Sequence, residues 1–185
     1  MNRSTLLSLS FTLSLIFISH GGRLPMPVAT STKLYQTVCK DVGKDANRCL
    51  KLLEAYPEIT SAKTNLTLCR HVLEMAIERS TEARNYFIKT MNKNPSSAAI
   101  KKCATDFYYV TVKSFKDALS ELVSAPDAAN YEAKIAGDGP VNCNSALGNE
   151  KIVNPSFSKL NNDIDFISFV AFLATNHLPK AKIGN

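Results

Sequence analysis

Apolar residues return at alternating intervals of three and four over much of this chain, the signature of helices that bury one face. From Thr60 to Lys93 there is no Gly or Pro, and Leu66, Cys69, Leu73, Ala76, Ser80, Ala83 and Phe87 fall on one stripe. Arg70, Glu74, Glu78, Glu82 and Lys89 occupy the other side. Asn94-Pro95 ends the segment, because a proline disfavours helical geometry in the residue before it. Ser96 or Ser97 then caps a second helix reaching about Ser124, with Ala104, Tyr108, Thr111, Phe115, Ala118 and Leu122 on its buried stripe.

A third helical stretch starts near Asp127 after Pro126 and is disturbed at Gly137-Asp138-Gly139-Pro140, where two glycines and a proline make an unbroken helix costly. The last begins at Asn154-Pro155, a cap followed by proline at the first helical position, and ends at Pro179. Its stripe is Leu160, Ile164, Ile167, Ala171, Ala174 and Leu178. No stretch alternates apolar and polar residues between hairpin turns, so no strands are expected. Four long segments joined by short loops predict an all-α, up-and-down four-helix bundle. Ahead of it, Lys33 to Lys40 and Asp45 to Tyr56 read as two short helices parted at Val42-Gly43-Lys44, a helical hairpin that is marginal alone.

The start of the chain reads differently. Arg3 precedes an uncharged, largely apolar run from Leu6 to Ile18, which ends at Ser19-His20-Gly21-Gly22. That run is shorter than the about 20 apolar residues a spanning helix needs. It has the charged, apolar and small-residue regions of a secretory signal, with cleavage expected near Gly21; the competing reading is a retained anchor. The expected organisation is a removed signal over residues 1–21, a flexible N-terminus over 22–30, and one domain over 31–180. Within that domain the hairpin spans 31–57 and the bundle 60–180.

The formal net charge of +6 is spread along the chain, densest at Lys101-Lys102 and at Lys180 with Lys182. No basic run interleaved with aromatics points to nucleic acid. A mildly basic secreted protein would associate weakly with polyanionic pectin. Five cysteines, Cys39, Cys49, Cys69, Cys103 and Cys143, leave one thiol over in an oxidising compartment and admit several pairings. No CxxC pair exists, and His71 and His177 are the only histidines after the signal, which argues against a zinc site. His71 near Glu74 reads as a surface pair on a helix, and Asp163 and Asp165, two apart, face different ways, so no catalytic constellation emerges. A lipid carrier would need more bridges than these cysteines allow. Asn65-Leu66-Thr67 is the one acceptor sequon after the signal, since Asn94 and Asn154 precede proline.

These features resemble those of the plant invertase and pectin methylesterase inhibitor family. The resemblance covers essentially the whole chain after the signal and is carried by Val38-Cys39-Lys40, Asn47-Arg48-Cys49-Leu50, Lys102-Cys103-Ala104 and Val141-Asn142-Cys143. It implies two disulfides, Cys39 to Cys49 within the hairpin and Cys103 to Cys143 between the second and third bundle helices. Cys69 is then a buried free thiol. It also implies a secreted protein of the apoplast, with the vacuole as the lesser alternative. Such a protein has no catalysis, metal or cofactor of its own, and binds pectin methylesterase or acid invertase one to one.

In the family, esterase-directed members lie over the pectin-binding cleft, whereas invertase-directed members insert a Pro-Lys-Phe segment into the sugar pocket. Aligned from Cys143, that segment falls here near Pro126-Asp127-Ala128, which lacks the lysine and the phenylalanine. The Gly137-to-Pro140 interruption departs from the alanine-rich helix of the esterase-directed branch. By family position the target-facing residues are Lys113, Lys116, Asp117 and Glu121.

Overall fold

The computed structural model describes residues 32–179, and every described element is helical. The expected signal segment and the Lys180–Lys182 pair lie outside the described residues. Helix α1 (Leu34–Asp41) runs into a 3-10 turn (Gly43–Asp45) and then α2 (Ala46–Glu54). Gly43 has φ +74°, a left-handed conformation that glycine adopts without a steric penalty, and this lets the hairpin close. Cys39 and Cys49 are bridged across it, their Cα atoms 5.3 Å apart.

A short helix α3 (Pro57–Thr60) precedes the first long helix, α4 (Asn65–Lys93). The sequence pattern placed that start at Thr60. Instead Pro57 opens a separate turn, and the long helix begins where the Thr64 hydroxyl accepts from the Thr67 amide at 3.1 Å. Leu66, assigned to the buried stripe, is 36% exposed, because the inward face of the first turn belongs to Leu68 and Cys69. The rest of the stripe through Phe87 is buried as expected.

The second rod is capped by Ser97, whose hydroxyl accepts from the Ile100 amide, and comprises α5 (Ala98–Lys102) and α6 (Tyr108–Glu121). A π-helical turn at Cys103–Phe107 joins them. Widening to i→i+5 bonds frees carbonyls, and one finds an outside donor: Arg84 Nε of α4 donates to Ala104 O at 3.2 Å. The third rod is α7 (Pro126–Ile135) and α8 (Asp138–Asn149), and the last is α9 (Pro155–Asn176), capped by the Asn154 side chain. In the bundle α4 packs on α6 and α9, while α7 packs on the same two helices, closing an up-and-down ring.

The third rod breaks at Ala136-Gly137, slightly before the predicted position, and Gly139 and Pro140 lie inside the first turn of α8. Proline is tolerated there because a first-turn amide has no intrahelical partner to lose. The carbonyls released at the break are satisfied from neighbouring helices: Thr111 Oγ1 donates to Ala136 O at 3.0 Å and Ser168 Oγ to Ala133 O at 2.7 Å. Cys103 and Cys143, with Cα atoms 5.0 Å apart, bridge the π-turn to α8.

The core is built from Leu68, Leu73, Phe87, Tyr108, Phe115, Ile164 and Ile167. The rings of Phe87 and Tyr108 lie 5.2 Å apart, as do those of Phe87 and Phe157. One polar chain crosses this core. Tyr108 OH donates to Asn161 Oδ1 at 2.7 Å, and Asn161 Nδ2 donates to Asn144 Oδ1 at 2.6 Å, so the buried polar atoms of α6 and α9 are satisfied by each other and by half-buried Asn144 of α8.

Candidate target-binding surface

The residues expected to face a target lie along the outer side of α6. Lys113 and Lys116 are exposed, and Asp117 and Glu121 are half-buried. Lys113 and Asp117, one turn apart, form an ion pair, and the hydrogen bond from Lys113 to Asp117 raises the lysine's pKa. Helix α7 packs against α6, and its Glu132 acts on Lys113 in the same direction. Glu121 differs from its neighbours: its Oε2 is buried and has no hydrogen-bond partner among the described residues.

Sequence reasoning missed the aromatic part of this surface. Tyr109 of α6 is 51% exposed and Tyr131 of α7 is 61% exposed. Their signal was an apolar residue lying off the buried stripe, directly beside Tyr108 in one case. Val123, in the turn between the two helices, is also exposed. Tyr109 is held by Arg84, whose guanidinium lies 5.3 Å from the ring centre. Pro126-Asp127-Ala128 forms the first turn of α7, with Pro126 at its start and Asp127 exposed.

The remaining chemically suggestive residues are dispersed. His71 Nδ1 and Glu74 Oε2 are 2.9 Å apart on the surface of α4. Asp163 sits between Arg48 of α2, at 2.8 Å, and Lys159, at 2.7 Å. Burial alone would raise its pKa, but the hydrogen bonds from Lys159 and Arg48 outweigh that and lower it. Asp165, two residues on, has its pKa raised, mainly by burial. Cys69 is fully buried, its Sγ donating to Ala174 O at 3.1 Å, and desolvation pushes its pKa up to about 12, which keeps it an unreactive thiol. Asn65 is the first residue of α4, half-buried, and its Nδ2 donates to His177 O at 3.1 Å. Among the described residues no three potential metal-ligating side chains cluster.

Residues 33–176 match the family model described as plant invertase/pectin methylesterase inhibitor. The chain belongs to that family. Members are inhibitors rather than enzymes, and the role of this inhibitor is to bind and block another protein's activity. Its fold is similar to that in the crystal structure of a mutant form of a pectin methylesterase inhibitor from Arabidopsis. The TM-score is 0.70 at 20% identity, with 81% of this chain and 100% of that chain covered. It is also similar to the crystal structure of a pectin methylesterase inhibitor from Arabidopsis thaliana, with TM-score 0.59 at 20% identity, covering 80% of this chain and 97% of that one. No curated protein matches the sequence. At such identity the structures speak for the fold, and the target must be argued from this inhibitor's own residues.

Proposed function

We propose that this inhibitor is secreted to the plant apoplast after removal of residues 1–21 and there blocks a pectin methylesterase by forming a one-to-one complex. The observation that favours this target over acid invertase is the chemistry of Pro126-Asp127-Ala128. An acidic and a methyl side chain stand where invertase-directed members of the family present a lysine and a phenylalanine. The exposed Asp127 would carry negative charge into a pocket that the family fills with a cation. Titrating the purified, oxidised protein into a pectin methylesterase assay and an acid invertase assay at mildly acidic pH tests the reading. Saturable loss of the esterase activity alone, near equal molar ratio, is expected; loss of invertase activity instead would reassign the target.

The contact surface proposed is the outer side of α6 with the adjoining part of α7, centred on Lys113, Lys116, Asp117 and Glu121. Tyr109 and Tyr131 supply exposed aromatic area of the kind enriched at interfaces, beside the exposed cations Lys113 and Lys116. Charge reversals at Lys113, Lys116, Asp117 and Glu121, combined, are expected to weaken inhibition at least about tenfold while leaving the fold intact. Unchanged inhibition would remove this face from consideration.

A further inference from the structure

Away from the α6–α7 surface, α4, α9 and α2 enclose two adjoining depressions. One, of about 310 Å³, runs between α4 and α9 from Tyr86 and Ser156 to Arg79 and Asp163. The other, of about 230 Å³, continues from Arg79 and Asp163 to Lys51 and Phe166 beneath the hairpin. Because Arg79 and Asp163 line both, the depressions form one groove along α9. From Ser156 to Ile167 it extends roughly 16 Å at the helical rise per residue, room for a few linked sugar rings.

The charges along this groove are not balanced. Asp163 is already neutralised by two cations, Arg48 and Lys159. Arg79 has only a loose pair with Glu82, at 3.8 Å between exposed groups, and exposed Lys51 forms no ion pair among the described residues. Glu82 lines the first depression beside Arg79, so the two depressions together carry three cations, Arg48, Lys51 and Arg79, against two carboxylates, Glu82 and Asp163, and the second oxygen of Asp163 is held by Lys159. The excess is positive, with Arg79 only loosely paired and Lys51 unpaired among the described residues. Between and beside these cations Glu82 and Ser156 share the lining with apolar and aromatic residues, of which Tyr86 and Leu160 reach the surface while Ile164 and Phe166 lie buried behind them. Leu160 and Ile164 form the floor of the first depression, Tyr86 is 41% exposed at its edge, and the Phe166 ring lies under Arg48 at 3.9 Å. Apolar patches interrupted by spaced cations suit a chain of sugar rings that carries a carboxylate on each ring: the carbon faces lie on the apolar surfaces and the carboxylates meet Arg79 and Lys51.

We propose that this groove binds a short de-esterified galacturonan, the polyanion that a pectin methylesterase leaves behind when it removes methyl esters. The naming of the polymer rests on the target reading above; the groove and its charge do not. Binding here would leave the α6–α7 surface free, so the inhibitor could be held on the product while it engages the enzyme.

Isothermal titration of the full mature protein with a de-esterified oligogalacturonate, no enzyme being present, tests this separately from inhibition. Saturable binding is expected, weakening as salt is added. Arg79→Ala and Lys51→Ala are each expected to lower affinity about fivefold. Lys101→Ala, an exposed cation outside the groove, should leave affinity unchanged. Three results would overturn the proposal: no binding of the oligogalacturonate, equal binding of its fully methyl-esterified counterpart or of polyglutamate, or an equal loss in Lys101→Ala. Inhibition of the esterase with no galacturonate binding would sink the groove alone, and galacturonate binding without inhibition would sink the target reading alone.

Discussion

The α1–α2 hairpin and the α7–α8 rod are both made of helices too short to persist by themselves, and each is held by one disulfide, yet the two are secured in different ways. The hairpin's bridge is internal, spanning 10 residues, and much of its polar attachment to the bundle is at the surface: Arg48 with Asp163, and Asp41 with His177 at 2.8 Å. The bridge of the α7–α8 rod spans 40 residues and runs to a different helix. At the break itself its polar ties are buried, from the hydroxyls of Thr111 and Ser168 to the carbonyls of Ala136 and Ala133. A local staple shapes an element without placing it, whereas a long-range staple places an element that then needs little regularity of its own.

Removing the bridges separately measures that difference. In the chain-entropy account, Cys103→Ala with Cys143→Ala costs about 4 kcal/mol and Cys39→Ala with Cys49→Ala about 3 kcal/mol. Non-reducing chemical denaturation is the measurement. The first pair is also expected to loosen the α7–α8 rod, seen as faster amide exchange there, while the second leaves that rod as protected as before. Equal losses, with exchange unchanged in α7 and α8 for both, would show that the long-range staple does no placing.

The glycines of α8 test the packing half of the same contrast. A Cβ at Gly139 would stand 2.1 Å from Thr111 Oγ1 and 2.5 Å from the carbonyl oxygen of Phe107. Backbone cannot rotate away as a side chain can, so Gly139→Ala is expected to cost about 3 kcal/mol through displacement of α8 from the π-turn. At Gly148 a Cβ would enter open space, with nothing within 4 Å. Gly148→Ala is therefore expected to be neutral or to stabilise by about 0.5–1 kcal/mol, since glycine is a poor helix residue. Thermal melts of the two variants decide it; similar melting temperatures would mean that α8 is not held at this close approach.

Gly139 also marks where reading the sequence reached its limit. The Gly-Asp-Gly-Pro run was readable as an interruption, because its cost to a helix is local. Its use as a contact surface for Thr111 and Phe107 depends on residues distant in sequence. The stripes of α4, α6 and α9 were readable for the same local reason, apart from Leu66, whose position in the first turn of α4 is set by the cap at Thr64 rather than by the period. The π-turn at Cys103–Phe107 left no trace in the pattern, since the apolar residues on either side stay in phase with a helix of ordinary pitch. On the candidate surface, the four charged positions came from family resemblance, and exposed Tyr109 and Tyr131 emerged only when α6 and α7 were set side by side.

The smallest effect expected concerns the hairpin's attachment, where two carboxylates on α9 respond to acid in opposite senses. Asp163 has a folded-state pKa below its unfolded one, so its contribution to stability is complete above the ordinary aspartate range near about 3.9 and is lost as pH falls through the folded value. Asp163→Asn is then expected to cost about 1 kcal/mol at neutral pH and progressively less in acid. Asp165 has its pKa raised, by burial first and by Asp138 as well, against an opposing pull from Arg48. Its charge therefore opposes folding above the folded pKa, and that cost disappears as pH falls toward the ordinary aspartate value. Because Asp165 is exposed enough for solvent to screen it, Asp165→Asn should stabilise by no more than about 0.5 kcal/mol at neutral pH and by nothing in strong acid. Denaturation midpoints of both variants, followed from neutral to acid pH, should differ from wild type in opposite directions and converge on it as both carboxylates protonate. If the two curves moved together instead, the pairs of Asp163 with Lys159 and Arg48 would not be what stabilises its carboxylate in the folded state.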